Sequence, residues 1–271
     1  DAKDAGWGLL HGDKIEVLKE TSSGVAGKHR QGGQSAKRFQ KLREMEISYY
    51  FTRLANTTRE YFLDIYPIKG LIISGPGPTK EEFVNQNYLE YRLQDMIIGT
   101  IDASYSGAEG IREAFTKSTD ILSNFRMVEE KQMVDKLFKQ INSHSGLGVY
   151  GLADIIGYLK NNVVDMVIVT DNIELGRIEV KCNKCSHIDD KIVEQPILIK
   201  TKTELQNSSC SSCKSKDIIV TDQDVVDYLA LLAAKTGTRL EVVSGVAEYG
   251  TMLASLGKIG AVLRYNPNYS N

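Results

Sequence analysis

Hydrophobic residues recur at helical spacing over a long stretch of the first half of the chain. Between Gln34 and Tyr66 the sequence contains neither Gly nor Pro, and its apolar residues repeat every three or four positions, as one face of an α-helix requires. These residues are Phe39, Leu42, Met45, Tyr49, Leu54, Tyr61, Phe62 and Ile65. The pattern predicts one helix of about 45 Å, at 1.5 Å per residue, that ends before Pro67.

Shorter apolar runs on either side of this helix predict an αβ domain. Residues 7–10 and 14–19 predict a strand pair around the Gly12-Asp13 turn, with Ile15, Val17 and Leu9 on its buried face. Beyond the helix, the pattern predicts strands at 68–74 and 96–102 and helices at 79–85 and 107–122. Because a new helical pattern starts just after Asn124 and Phe125, we place the domain boundary there and assign residues 1–124 to this domain.

The second half of the chain alternates strands and helices. Predicted strands cover residues 148–150, 164–170, 239–244 and 259–264, and predicted helices cover 152–160, 222–236 and 248–256. Continuous apolar runs such as Val167-Ile168-Val169 suit strands that are buried on both faces. The fold class is therefore α/β, and residues 125–271 are predicted to form a three-layer α/β/α sandwich.

All four cysteines of the chain lie in two pairs of identical spacing, Cys182 with Cys185 and Cys210 with Cys213. Two such CxxC knuckles supply the four thiolates of a tetrahedral zinc site, which leaves no open position for catalysis. The alternative is two disulfides, which a reducing compartment disfavours. We therefore predict a small structural zinc ribbon, inserted at residues 177–220, with His187 as a bystander.

The composition and the first residues of the chain indicate the broad class of protein. At 271 residues, with 42% hydrophobic and 25% charged residues, the chain has the composition of an ordinary globular protein of about two domains. No apolar run approaches the roughly 18 residues of a membrane span, and the start lacks the pattern of a signal peptide. We expect a soluble, cytoplasmic protein without a membrane partner. Because the chain begins without Met, we also expect that an N-terminal portion is missing.

The net charge of −2 hides a local basic segment. From Thr21 to Arg43 there is no Asp or Glu, whereas six basic residues occur: Lys28, Arg30, Lys37, Arg38, Lys41 and Arg43. Such a segment can bind a polyanion by phosphate contacts although the whole protein is not basic. The alternative interpretation is a solvated basic helix face.

The Gly32-Gly33-Gln34 tripeptide lies inside this basic segment. Adjacent glycines adopt backbone angles closed to other residues and present N–H groups without side-chain bulk. The amide of Gln34 does not titrate near neutral pH, so it donates and accepts hydrogen bonds but is no general acid or base. A helix-capping turn is the alternative for the tripeptide alone.

The segment from Lys28 to Phe39 closely resembles the Gly-Gly-Gln signature of class 1 translation termination factors of the archaeal and eukaryotic type. Three further segments are similar to this family: residues 75–80, 102–107 and 257–265. The paired CxxC knuckles indicate the archaeal branch. The resemblance covers the whole chain and corresponds to the middle and C-terminal domains, since the Asn-Ile-Lys-Ser motif of the stop-codon-reading domain does not occur in the sequence.

The resemblance implies a function for these segments. Gly32, Gly33 and Gln34 would enter the ribosomal peptidyl transferase centre and trigger hydrolysis of the peptidyl-tRNA ester, on the ribosome and not as a free-standing enzyme. Residues around the motif would contact ribosomal RNA: Lys28, Arg30, Ser35, Lys37 and Arg38. The resemblance further implies three partners: the large-subunit RNA with its peptidyl-tRNA, a translational GTPase and a recycling ATPase.

Other functions remain open at this point. A ribosome-associated RNA-binding adaptor or a rescue factor without a hydrolytic role would use the same surfaces, with the glycine loop incidental. A metal-dependent hydrolase is disfavoured, because four thiolate ligands leave no spare coordination site. Residues 75–80 superficially resemble a phosphate-binding loop, but they lack its Gly-Lys-Ser/Thr ending.

Overall fold

The computed structural model describes residues 1–12, 14–25, 36–143 and 145–267. The chain forms two compact units, residues 1–126 and 127–271. The structure confirms the α/β class that the alternating pattern predicts.

The first unit begins with an antiparallel hairpin. Strand β1 (Asp4–His11) pairs with β2 (Lys14–Ser22), with a bulge between Trp7 and Gly8. Trp7 and Leu9 are buried, whereas Ile15 and Val17 are only half-buried. The predicted strand pair is confirmed, but the strand with the fully buried side chains is β1 and not β2.

A long helix follows. Helix α1 (Ala36–Arg59) continues without a break into a π-helical turn (Glu60–Ile65), where the N–H of Tyr66 donates to the carbonyl of Tyr61. The predicted helix is confirmed, with this wider last turn as a departure from the pattern. Tyr50, Phe51, Leu54 and Phe62 from this segment are buried with Trp7 and Leu9 in one core.

The rest of the first unit forms a short parallel strand pair and three helices. Their bounds are β3 (Leu71–Gly75), α2 (Thr79–Asn85), α3 (Tyr91–Gln94), β4 (Ile97–Asp102) and α4 (Gly107–Lys117). Strand β3 pairs with β4 in parallel. The prediction of a helix over 107–122 was wrong at its end, because helix α4 is interrupted at Ser118 and a new helix starts at Thr119.

The elements from this break to the end of the chain are, in order, α5 (Thr119–Asn142), β5 (Gly148–Tyr150), α6 (Leu152–Lys160), β6 (Val164–Thr170), β7 (Leu175–Cys182), β8 (Ile188–Glu194), α7 (Gln195–Gln206), β9 (Ile218–Asp224), α8 (Val225–Thr236), β10 (Arg239–Val243), α9 (Glu248–Ala254) and β11 (Ile259–Leu263). The division between the two units falls inside α5.

A four-stranded mixed sheet of order β10-β6-β11-β5 forms the centre of the second unit. Alternate residues of β6 enter different cores. Val167 and Val169 pack with α6 and α8, whereas Met166 and Ile168 pack with α5 and α9. Helices therefore cover both faces of the sheet, and the predicted three-layer sandwich is confirmed.

The remaining elements form a separate three-stranded antiparallel sheet of order β8-β7-β9, covered on one face by α7. Its small core consists of Ile178, Val180, Val193 and Leu198. Residues 222–224, predicted as the first turn of a helix, instead belong to β9 and pair with β7. Helix α7 was not predicted from the sequence.

Within the described residues, no helix combines the length and the apolar character needed to cross a membrane.

Candidate functional site

The Gly-Gly-Gln motif lies between β2 and α1, outside the described residues, as do Lys28, Arg30 and Ser35. The described structure begins again at Ala36, two positions after Gln34, with the first turn of α1. Lys37 and Arg38, the other two predicted RNA-binding residues, lie in this turn and are exposed. Of the predicted motif site, the structure therefore describes only the part on the helix.

Contacts with the hairpin fix the position of α1 in the first unit. The indole N–H of Trp7 on β1 donates to Thr58 Oγ1 at 2.9 Å, within the buried core. The guanidinium of Arg53 donates to the carbonyl of Ser22, the last residue of β2, at 2.7 Å. Because β2 and α1 are the elements that flank the motif, these two bonds hold the elements on both sides of it to one core.

Most of the first half of α1 lies outside that core, against which only Ile47 of the residues from Lys37 to Tyr49 packs. From Lys37 to Tyr49 every described side chain is exposed except Arg43 and Ile47, which are half-buried. Four large apolar side chains in this half are exposed: Phe39 at 53%, Leu42 at 45%, Met45 at 54% and Tyr49 at 70%. An amphipathic helix normally buries such residues, so this half of α1 presents both apolar and basic groups to its surroundings.

The charges at the start of α1 oppose the helix dipole. The N-terminus of a helix carries partial positive charge, which favours acidic residues in the first turn and disfavours basic ones. The first turn of α1 contains no acidic residue but does contain Lys37 and Arg38. Local stability therefore does not account for this placement, and a helix N-terminus is a type of site that can bind an anion.

The two segments at 75–80 and 102–107 meet at an ion pair that the sequence pattern did not reveal. The buried ammonium of Lys80 donates to Asp102 Oδ1 at 2.5 Å and to the carbonyl of Gly77 at 3.0 Å. The hydrogen bond with Asp102 raises the pKa of Lys80, and Lys80 in turn lowers the pKa of Asp102. Because its own chain supplies these acceptors, Lys80 serves to join α2 to the end of β4.

The four cysteines come together at one end of the β7–β9 sheet. Each knuckle contributes one sulfur to each close pair: Cys182 Sγ lies 3.5 Å from Cys213 Sγ, and Cys185 Sγ lies 3.6 Å from Cys210 Sγ. All four sulfurs lie within 4.8 Å of one another. Four sulfurs bound at 2.3 Å to a tetrahedral ion would be about 3.8 Å apart. The cluster therefore fits a four-thiolate metal site.

The two knuckles have the same backbone turn. In each, the residue four positions after the first cysteine has positive φ, 57° at Ser186 and 59° at Lys214. The N–H of that residue donates to the carbonyl of the first cysteine in both turns. Neither position is a glycine, so the chain adopts the left-handed conformation here against the usual preference of its side chains.

Hydrogen bonds within the cysteine cluster shift the pKa values of two of its thiols in opposite directions. Backbone N–H groups of Cys213 and Ser212 donate to Cys210 and lower the pKa of its thiol to about 6. The N–H of His187 similarly favours the Cys185 thiolate, but bonds with the other thiols and burial outweigh it and raise the pKa of Cys185 to about 12. The imidazole of His187 faces Asp189 at 3.1 Å.

A buried arginine holds the β7–β9 sheet against the sandwich. The guanidinium of Arg177 on β7 donates to Glu179 and Asp190 and lies 4.1 Å from the ring centroid of Tyr228 on α8. Arg177 lies on β7 next to buried Ile178, and the sequence pattern did not predict this strand. Glu179 lies two residues away on β7, whereas Asp190 and Tyr228 come from β8 and α8 and reach Arg177 only through the fold.

Comparison with known proteins places both units in one family. The family model described as eRF1 domain 2 matches residues 1–124, and the model described as eRF1 domain 3 matches residues 127–267. Peptide chain release factor subunit 1 of Methanocaldococcus jannaschii is 33% identical over 270 residues, and that of Thermococcus kodakarensis is 35% identical over 269 residues. Each alignment covers 98% of this chain and 64% of the relative, so the chain spans less than two-thirds of their length.

Two solved structures share the fold. A chain in the structure titled "Model of ribosome-bound archaeal Pelota and ABCE1" aligns over 97% of this chain and 59% of that chain, with a TM-score of 0.58 and 20% identity. The C-terminal domain of the peptide chain release factor from Methanosarcina mazei aligns over 60% of this chain and 99% of that domain, with a TM-score of 0.50 and 24% identity. With both halves matched by family models, the chain belongs to the eRF1 family and carries that family's domains 2 and 3.

Proposed function

We propose that this chain is the part of a translation termination factor that triggers release of the finished peptide on the ribosome. The observation that carries the proposal is the start of α1, where exposed Lys37 and Arg38 sit at a helix N-terminus directly after Gly32-Gly33-Gln34. This arrangement opposes helix stability and favours an anionic partner. The relatives named peptide chain release factor subunit 1 support the same function.

The chemistry requires no titratable residue of the protein. Hydrolysis of peptidyl-tRNA needs an oriented water and a donor for the oxyanion that develops on the ester carbonyl. The backbone N–H of Gln34 is that donor in our proposal, and the Gln34 side chain shapes the pocket so that water enters. Gly32 and Gly33 permit close approach of the backbone.

Lys28, Arg30, Ser35, Lys37 and Arg38 contact ribosomal RNA in this proposal. The phosphate backbone supplies most of the affinity in such contacts and makes it dependent on salt. The second unit binds the translational GTPase and the recycling ATPase, the latter supported by the ABCE1 named with the Pelota structure of the same fold. The four cysteines hold a structural zinc ion, since a closed four-thiolate set is typical of that metal.

A reconstituted peptide-release assay tests the hydrolytic role. The chain is fused to the N-terminal portion of the Methanocaldococcus jannaschii relative, and release from stop-codon ribosomes is compared for the parent, Gln34→Pro and Gly33→Ala. We expect release to fall by roughly 100-fold or more in Gln34→Pro, as for loss of one oxyanion donor. Gln31→Pro is the matched control, because it places proline in the same loop outside the motif. Equal release by the parent and Gln34→Pro contradicts the proposal.

Salt dependence tests the RNA contacts. We expect Lys37→Gln with Arg38→Gln to weaken ribosome binding and to reduce the slope of log K against log salt by about 2, about one for each phosphate contact. Lys131→Gln with Lys200→Gln removes two exposed lysines of the second unit and serves as the charge-matched control. An unchanged slope in the first variant would show that the basic face is only solvated.

A ribosome-rescue role is the second candidate, because the Pelota fold is shared. It predicts that Gly33→Ala retains full function in a subunit-splitting assay on stalled ribosomes while peptide release is absent in both parent and variant. Release by the parent that is lost in the variant favours termination.

A further inference from the structure

The two cysteine knuckles carry an exposed basic patch at the end of the β7–β9 sheet. We define the ribbon tip as residues 181–188 and 210–217. Four lysines and one acidic residue, Asp217, lie in these two ranges. All four lysines are exposed: Lys181, Lys184, Lys214 and Lys216. The ribbon tip therefore presents a local excess of positively charged side chains.

The fold brings these lysines together from two segments of the chain. Cys182 Sγ lies 3.5 Å from Cys213 Sγ, and the Asn183 amide donates to Asp217 Oδ1 at 2.7 Å. Each of these four residues stands next to one of the lysines in the sequence. The two contacts therefore hold the lysine positions of both knuckles side by side, although the knuckles are far apart along the chain.

Few groups of the chain compete for these lysines. Within the described residues none of the four ammonium groups forms an ion pair, and only that of Lys214 forms a hydrogen bond, with the Ser211 carbonyl at 3.2 Å. The carboxylates nearby accept from other groups. Asp217 accepts from the amide described above, and Asp189 accepts from the Ser211 hydroxyl at 2.5 Å. The lysines are therefore free to bind an anion from outside the chain.

The cysteine cluster itself is an alternative partner for the lysines. A divalent ion with four thiolates leaves two negative charges on the cluster, which nearby cations would offset. Within the described residues, however, its sulfurs accept from the backbone N–H groups of His187, Ser212 and Cys213 and not from a lysine. The cluster is therefore hydrogen-bonded by backbone groups and makes no direct use of the lysines.

The residue types of the ribbon tip suit phosphate groups rather than bases. Lysine ammonium groups and serine hydroxyls contact phosphate oxygens in nucleic-acid complexes, and Ser186 and Ser212 are exposed beside the lysines. Unpaired bases are held by stacking on aromatic rings or on arginine. The ribbon tip contains no Phe, Tyr, Trp or Arg, and its one imidazole, that of His187, faces Asp189. The groups present therefore fit a duplex, whose bases are already paired and stacked.

We propose that the ribbon tip is an RNA-binding surface of the second unit, which holds the phosphate backbone of an RNA duplex without reading its base sequence. The choice of RNA as the polyanion rests on the proposed function, which places the chain on the ribosome. The surface is distinct from the basic segment around Gly32-Gly33-Gln34 in the first unit. It gives the second unit a contact with RNA in addition to its two proposed protein partners.

The experiment measures binding of the whole chain, in the presence of Zn²⁺, to RNA duplexes of about 16 base pairs over a range of salt concentrations. Two duplexes of unrelated sequence and a polyglutamate of equal charge are the probes. The tip variant removes three lysine charges by Lys181→Gln, Lys184→Gln and Lys216→Gln. The control variant removes three exposed lysines of the second unit outside the ribbon tip, by Lys131→Gln, Lys200→Gln and Lys235→Gln. Competition with a chelator measures the zinc affinity of each form.

We expect the tip variant to reduce the slope of log K against log salt by about 3, about one for each lost phosphate contact. The reduction should be equal for both duplexes, with zinc affinity unchanged, and the control variant should keep the slope of the parent.

An unchanged slope in the tip variant would overturn the proposal. A reduced slope together with weaker zinc binding would also overturn it, because the lysines would then act through the metal. Equal affinity of the parent for polyglutamate and for RNA would show a surface that binds any polyanion. The release assay of Gln34→Pro does not involve these lysines, so this proposal and the proposed function can fail separately.

Discussion

Lys37 and Arg38 place two positive charges in the first turn of a helix, against its local stability. Their positive charges lie at the positive end of α1, where acidic residues would stabilise the helix. The basic run and the helical pattern are both visible in the sequence, and the structure has Lys37 and Arg38 in the first turn of α1.

Replacing both residues by glutamate should therefore change stability and ribosome binding in opposite directions. We expect Lys37→Glu with Arg38→Glu to raise the free energy of unfolding by about 0.5–1 kcal/mol in low salt, measured by urea denaturation, and to weaken ribosome binding. Lys131→Glu, in the middle of α5, is the control for charge alone. A loss of stability in the double variant would contradict the dipole argument.

Protonation of Glu113 should lower the stability of the first unit at acid pH. Lys117 donates to its carboxylate at 2.8 Å, and the N–H groups of Ser104 and Tyr105 and the Ser104 hydroxyl add further bonds. These bonds lower the pKa of Glu113 to about 2 from 4.5. Because the folded-state pKa is depressed, the stabilisation is complete above about pH 4.5 and is lost as the pH falls through about 2.

We therefore expect the stability difference between the parent and Glu113→Gln to be constant above pH 4.5 and to vanish toward pH 2. Thermal melting at a series of pH values measures it. Glu109→Gln, an exposed carboxylate of the same helix, is the control. A difference that persists unchanged below pH 2 would rule out Glu113 as the titrating group.

Arg177 should be the most sensitive charged residue of the second unit. Its side chain is 10% exposed, and its removal leaves Glu179 and Asp190 close together with only Lys160, 3.8 Å from Asp190, as a remaining counter-ion. We expect Arg177→Met to lower the free energy of unfolding by about 3 kcal/mol, the low end for a broken buried ion pair, because its two partners are about one-third exposed. Arg239→Met removes an ion pair whose arginine is 59% exposed and should cost below about 0.5 kcal/mol. Similar losses in both variants would contradict this assignment.

At the scale of elements, the sequence predicts those helices and strands whose formation depends on the local pattern of apolar residues. The long helix, β6, α6 and α2 follow from periodicity and from their flanking Gly and Pro residues. The break at Ser118 does not, because no Gly or Pro marks it; the chain turns there by bonds from the Ser118 N–H and hydroxyl to the Phe115 carbonyl. Residues 222–224 look helical in sequence, yet pairing with β7 makes them a strand. Such pairings depend on partners distant in the chain.

Metal removal should act from one end of the β7–β9 sheet. The cysteines lie at the end where Cys182 pairs with Ile218, whereas the other end is held by Arg177 and the Ile178 core. If the proposed zinc ion is bound, we expect a chelator to release one ion per chain and to speed amide exchange most around residues 182–187 and 210–218, with smaller changes near residue 176. The central sheet of the second unit should be unaffected, and loss of its protection would contradict a local role for the metal.

At the scale of the whole molecule, the two units should fold separately. The cores of the second unit draw on α5, α6, α8 and α9 around one sheet, which suffices for an independent domain. We expect a fragment of residues 119–271, which contains the whole of α5, to unfold cooperatively in urea. Its midpoint should equal the midpoint of the same residues within the full chain. A non-cooperative transition, or a much lower midpoint, would contradict two separately folding units.

The exposed first half of α1 has a kinetic consequence. From Lys37 to Glu46 every side chain is exposed except half-buried Arg43, so the helicity of this segment depends mainly on local interactions, which are marginal for an isolated helix of this length. Such a helix melts and re-forms within about a microsecond. The first half of α1 therefore stays in rapid helix–coil equilibrium, and under the proposed function its refolding would not limit how quickly the adjoining motif is delivered.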